Sequence, residues 1–264
     1  MNFSIRSFLF SIVFVLSCAL QPANAVAQHH SLQPNKQELA SLVAQAQTIA
    51  VDDRVLLAVL KGVYTSKISK ECAVNLLAAI IRTHKDGLPV SILEAKINEG
   101  LAKKVPVEII CTVIRRISED MDFSRKLIAQ YQSAPLSVQE MQTMVEALEQ
   151  LQDNTQVRDF FARYKQIPVA IRIEGIKTYS LLQQAGGSPK RLRPLMAEVM
   201  KNETRLQRWK ELPQLLAIAL RTGIEPDIFI QKAVAAIKKN KAPHELSREF
   251  SLQPRNLGIS TKSN

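Results

Sequence analysis

Pro106-Val-Glu-Ile-Ile-Cys-Thr-Val-Ile-Arg-Arg-Ile-Ser118 is the stretch on which the fold class turns. Ile110, Val113, Ile114 and Ile117 stand at i, i+3, i+4 and i+7, the spacing that lines one side of a helix with 3.6 residues per turn. Pro106 stands just ahead of them, where a helix can accept proline because the first N–H groups have no partner in any case. The same period returns on both sides. Leu56, Val59, Leu60 and Val63 follow it, as do Ala73, Leu76, Leu77 and Ile80, then Met141, Met144, Val145 and Leu148. Leu192, Leu195, Met196 and Val199 come next, and Ile230, Ala233, Val234 and Ile237 close the series. No alternation of comparable length suggests strands. With 264 residues, only 8 Gly and 5% aromatics, the chain is also short of what tight β-turns and pleated faces need. The expected fold is all-α.

Prolines punctuate it. Pro89, Pro106, Pro135, Pro168, Pro189, Pro226 and Pro243 each precede or open an apolar-periodic run. Short connections between helices of about 11–16 residues then predict an array of antiparallel helix pairs. Pro194 and Pro213 read equally well as starts or kinks. Gly87-Leu-Pro-Val-Ser-Ile-Leu-Glu-Ala-Lys96 is echoed by Gly223-Ile-Glu-Pro-Asp-Ile-Phe-Ile-Gln-Lys232. Each leads to a second proline-initiated helix, so an α-solenoid-like stack is one expectation and chance likeness of helix–turn–helix segments the other.

The N-terminus carries a different signal. Arg6, an apolar run from Phe8 to Leu20 and the triplet Ala23-Asn24-Ala25 together read as a secretory signal peptide over residues 1–25. The run spans 13 residues, short of the roughly 20 that a membrane-spanning helix needs, so no transmembrane helix is expected in the mature chain. Val15-Leu16-Ser17-Cys18 resembles the lipobox of bacterial lipoproteins, which makes lipidation at Cys18 the competing reading. Residues 26–34 read as a flexible lead-in, 35–250 as a single all-helical domain and 251–264 as a flexible C-terminal tail. The expected location is the periplasm or the exterior, with an envelope lipoprotein anchored through Cys18 as the alternative. There an oxidising compartment allows Cys72 and Cys111 to pair, although two buried thiols on core-like faces are the simpler reading.

Charge divides the domain. Residues 26–150 hold 14 Lys+Arg and 14 Asp+Glu, whereas residues 151–264 hold 20 and 10. The domain therefore has a neutral half, 35–150, and a basic half, 151–250. The densest basic stretch comprises Lys190, Arg191, Arg193, Lys201, Arg205, Arg208 and Lys210. Lys201, Arg205 and Arg208 are spaced to share one face if that segment is a single helix. Trp209 adjoins them, and Lys238, Lys239 and Lys241 form a second cluster. A one-sided positive field attracts polyanions. For an exported chain these are lipid head groups, lipopolysaccharide or acidic cell-wall polymers, or an acidic protein, with nucleic acid disfavoured.

Catalytic signatures are missing. The sequence has no Gly-x-Ser-x-Gly elbow, phosphate-cradling glycine loop or Cys-x-x-Cys. His244-Glu245-Leu246-Ser247-Arg248 begins like a zinc-protease helix, but Arg248 stands where the second histidine ligand belongs. His29 and His30 lack companion ligands. Asp52-Asp53 reads as a helix cap. Glu119-Asp120-x-Asp122 reads as a surface ion network with Arg115, Arg116 and Arg125. No cofactor or metal is expected, and the sequence favours a non-enzymatic helical binding or scaffold protein of the bacterial envelope. The alternatives are a helical-repeat scaffold that holds a protein in an interhelical groove, and an unrecognised envelope hydrolase. Mass spectrometry of the exported chain should find Val26, or Gln28 after cleavage at Ala27, as its first residue; an acylated Cys18 would replace that reading with the anchored one.

Overall fold

Helix starts follow the cap chemistry closely. The computed structural model describes residues 36–252 except Ser66, so the signal segment with Cys18, the lead-in and the tail beyond Leu252 lie outside the described residues. All regular structure among the described residues is α-helical. The elements are α1 Lys36–Thr48, α2 Asp53–Tyr64, α3 Lys70–Lys85, α4 Val90–Ala102, α5 Val107–Ile128, α6 Val138–Leu151 and α7 Asn154–Arg163. They continue with α8 Val169–Gln184, α9 Pro189–Val199, α10 Glu203–Arg208, α11 Leu212–Arg221, α12 Pro226–Lys238 and α13 Pro243–Glu249.

Pro89, Pro106 and Pro168 are the cap residues of α4, α5 and α8, and Pro189, Pro226 and Pro243 open α9, α12 and α13. Pro213 lies in the first turn of α11 and is a start, whereas Pro194 is inside α9. Asp52 caps α2 by accepting from the Arg54 N–H, in line with the capping role expected of it. Ser137 and Glu140 form a reciprocal capping box at α6.

The apolar stripes supply two cores. In the first, Val55, Leu56, Leu76, Leu77, Ile80, Leu93, Ile97, Ile110, Ile114, Ile117 and Met121 pack together. The second gathers Leu148, Phe160, Phe161, Ile173, Ile176, Leu192, Met196, Leu215, Phe229 and Ile237. Leu60 departs from its expected core position: it faces the open side of α2 and is 37% exposed. Two helices serve both cores. α5 gives Ile110 to Met121 to the first and Leu127 and Ile128 to the second. α6 gives Met141 and Val145 to the first and Met144, Ala147, Leu148 and Leu151 to the second.

Neighbouring helices are joined by short turns, yet the most extensive packing joins alternate ones, α1 with α3, α3 with α5 and α6 with α8. A helix meets its immediate neighbour near their common turn, while the helix after that lies alongside it. Glu146 pairs with Lys177 at 3.4 Å, and Ser180 Oγ donates to Gln150 Oε1 at 2.6 Å, so α6 and α8 run in the same direction. Gly87 and Gly223, the first residues of the repeat echo, both take positive φ at the turns after α3 and α11. The likeness is local, because the second helices of the two units have 22 and 7 residues.

Leu252, which falls in the expected tail, is 5% exposed in the second core, and its N–H donates to Ser247 O. Cys72 and Cys111, favoured above as separate thiols, are joined by a disulfide that ties α3 to α5, with Cα atoms 6.0 Å apart. Their faces point at each other because these two helices are packed side by side, which no spacing in the chain reveals. The bond closes a 39-residue separation, and restricting the unfolded chain over such a loop is worth about 2–4 kcal/mol. Cys72→Ser with Cys111→Ser, or reduction, should lower stability by that amount in urea unfolding; an unchanged midpoint would remove the bond from the account.

Candidate functional site

The basic stretch 190–210 is not one surface. Asn202 breaks it: its side chain accepts from the Arg205 N–H and starts α10 afresh after α9 has ended at Val199. Lys201, Arg205 and Arg208 therefore do not share one helical face. The asparagine cap is the cause, since it satisfies the N–H groups of a new helix.

Glu198 gathers part of the stretch instead. It is 9% exposed, its Oε2 lies 2.6 Å from Lys201 Nζ and 3.1 Å from Arg205 Nη1, and these bonds hold its carboxyl below the usual range. Lys238, from the second cluster, adds to the same field. Arg208 reaches the end of α12, where Nη1 donates to Asn240 Oδ1 at 3.2 Å. Lys239 and Lys241 follow there, close enough to help Lys232 hold the Glu249 carboxyl below its usual range. The result is one basic ridge built from two sequence clusters: Lys201, Arg205 and Arg208 on one side, Lys238, Lys239 and Lys241 on the other.

The ridge exists because α9 and α12 run side by side in the same direction. Arg191 pairs with Asp227 at 2.9 Å near their first turns, and Glu198 feels Lys238 near their ends. The rest of the stretch goes elsewhere. Lys190 is exposed on the first turn of α9, and Arg193 lines a cleft with residues of α7 and α8. Lys210 borders a groove between α8 and α11, beside Lys177, Glu174 and Glu211. Trp209 belongs to the second core and is 1% exposed, so it is not part of the basic surface.

A second cluster of titratable groups lies at the seam of the two cores. Asp120, 8% exposed, has an Oδ2 without a hydrogen-bond partner, and Arg116 Nε approaches it only to 3.9 Å. Burial pushes its carboxyl up to about 6, against the pull of Arg116 and with the repulsion of Glu149 and Glu119. Glu149, half-buried on α6, is also raised by burial, with Lys96 and Arg116 opposing. Of the expected surface network, Asp122 binds Arg125 at 2.7 Å and also Lys126, whereas Asp120, expected on the surface, is buried. Asp120 and Glu149 converge at this seam.

Among the described residues no group of three or more His, Cys, Asp or Glu side chains is placed to hold a metal, and no helix is long and apolar enough to cross a membrane. Sequence reading missed Arg163, Tyr164 and Tyr179, which line the cleft with Arg193. The available signal was Phe160-Phe161-Ala162-Arg163-Tyr164, an aromatic concentration in a chain with few aromatics.

The raised Asp120 carboxyl fixes a pH dependence. A folded value of about 6 against an ordinary 3.8 means that the protonated acid fits the fold better, so stability falls as pH rises from about 4 through 6. Asp120→Asn should be more stable than the parent by on the order of 2 kcal/mol at pH 7.5, and the difference should close toward pH 4. Equal unfolding midpoints at pH 7.5 would contradict the burial account. No protein-family model, curated protein or solved structure matches this chain, so the geometry alone supports the functional reading.

Proposed function

We propose that this chain is an exported, non-enzymatic helical binding protein of the bacterial envelope, located in the periplasm or outside the cell, and that it docks on an anionic surface through the ridge of Lys201, Arg205, Arg208, Lys238, Lys239 and Lys241. The observation that carries this reading is the convergence of two separate cation clusters at the ends of α9, α10 and α12, with Glu198 as the carboxylate that Lys201 and Arg205 share. Export is read from residues 1–25, and the stacking of alternate helices is compatible with a solenoid-like body that presents this edge. Anionic lipid head groups, lipopolysaccharide and acidic cell-wall polymers all supply the matching charge, as would an acidic protein.

A second reading draws on the groove between α8 and α11. Leu181, Ala185, Pro213 and Ala217 give it an apolar floor, and Lys177, Lys210, Glu174 and Glu211 give it mixed charge. An interhelical groove of this composition suits a peptide segment of another envelope protein. Salt separates the two readings, since screening weakens exposed charge contacts and leaves apolar burial in place.

The test uses vesicles with and without phosphatidylglycerol. Lys201→Gln, Arg208→Glu and Lys239→Glu replace exposed cations; Lys201 is neutralised and Arg205 is kept because a glutamate at either position would stand beside the Glu198 carboxylate. Each cation near an anionic surface is worth about 1 kcal/mol, so the triple variant should bind at least about tenfold more weakly at low salt. Its salt dependence should also flatten. Equal binding by parent and variant would eliminate the ridge.

A further inference from the structure

The junction of α7, α8 and α9 encloses a cleft that the ridge does not use. Its floor is aromatic: the Phe160 ring centroid lies 4.8 Å from that of Tyr164 and 5.8 Å from that of Tyr179, and Met196 of α9 adds to the lining. Gly175 permits this floor. A Cβ there would lie 2.4 Å from Met200 Sδ and 3.1 Å from Phe160 Cζ, so both side chains would have to shift to admit one. The interior measures about 90 Å³, several times the roughly 10–15 Å³ that one water requires. It has room for a compact group and not for an extended polymer.

The polar lining points to the sign of that group. Arg163 of α7 and Arg193 of α9 stand at the exposed edge, and neither forms an ion pair among the described residues. Both guanidinium groups act on the Tyr179 hydroxyl, opposing the burial that raises it. That hydroxyl is already committed: it donates to Gln156 Oε1 at 3.4 Å and accepts from Gln183 Nε2 at 3.0 Å. The Tyr164 hydroxyl is different. It is buried and has no hydrogen-bond partner, an uncommon state for a polar atom in a folded protein. Asp159 is the single carboxylate in the lining, set against two arginines. Planar guanidinium forks match the oxygens of carboxylate and phosphate.

We infer that this cleft binds a small oxyanion, with its oxygens between Arg163 and Arg193 and any ring or acyl stem resting on Phe160 and Tyr179. The chemistry is shared by carboxylates and phosphates, and it is independent of the ridge: a small ligand could bind here whether or not the protein docks on a surface.

Isothermal titration calorimetry of the full chain with sodium benzoate and with inorganic phosphate tests the inference. At least one anion should bind. Arg163→Gln and Arg193→Gln, both at exposed positions, should each weaken it by about tenfold, the loss expected for one charge-assisted contact. Asp159→Asn should tighten it. Circular dichroism checks that each variant keeps its helices. Preference for benzoate assigns the site to carboxylates with an apolar stem, and preference for phosphate assigns it to phosphate groups. The Lys201→Gln, Arg208→Glu, Lys239→Glu chain serves as the control and should bind the anion as the parent does. Binding by neither anion, unchanged affinity in both arginine variants, or an equal loss in the control overturns the site. Vesicle binding by the arginine variants should stay at the parental level, so failure here and failure of the ridge are told apart.

Discussion

Two helices in this protein have apolar side chains pointing in more than one direction, and the rest of the packing has to accommodate that. On α6, Met141 and Val145 face one core while Met144, Leu148 and Leu151 face the other. A helix with a single stripe can sit at the edge of a fold; one with two must lie between layers. α5 meets the same demand along its length rather than around it. The long helix turns its first half to one cluster and delivers Leu127 and Ile128 to the next. The seam between them is where polar groups collect, with Asp120 unsatisfied and Ser124 Oγ donating to Asp120 O at 2.7 Å. Burying a carboxylate with so little support costs free energy that the two flanking cores must supply.

The second core also holds a buried arginine. Arg172 is 2% exposed and has no acidic partner among its contacts. Its guanidinium lies 4.3 Å from the Tyr131 ring centroid and 5.2 Å from that of Phe161, and Nη1 donates to Phe161 O at 3.1 Å. Burial pushes the guanidinium pKa down, and the faces of the two rings take the place of a carboxylate. α8 is thereby tied to α7 at the end where the aromatic floor of the cleft begins. The positive surface outside and the stacked cation inside arise on the same half of the chain, by different physics. One is a matter of solvated groups left in excess, the other of a charge held by ring quadrupoles.

Much of the helical pattern was readable from residue spacing, because caps and stripes are local. Pro106 and Ser137 announce α5 and α6 wherever the rest of the chain goes. Asn202 was readable too, but a seven-residue charge pattern running across it hid the break. Relations between distant segments were not legible. The meeting of Lys201 with Lys238 around Glu198 depends on two parallel helices, α9 and α12, with two others between them in sequence, and the pairing of Cys72 with Cys111 depends on α3 lying against α5. The cleft needed three helices at once, with Arg163 and Arg193 drawn from opposite sides of α8 in the sequence.

Trp209 is the chain's single tryptophan, and it sits wholly inside the second core. Its emission is therefore a local optical gauge. Melting of the half that carries the cation edge and the oxyanion cleft would shift the indole spectrum, while loosening confined to the disulfide-tied half would leave it dark to fluorescence and visible only in the far-ultraviolet helix signal. Comparing the two signals during denaturation would reveal whether the halves come apart together or in turn.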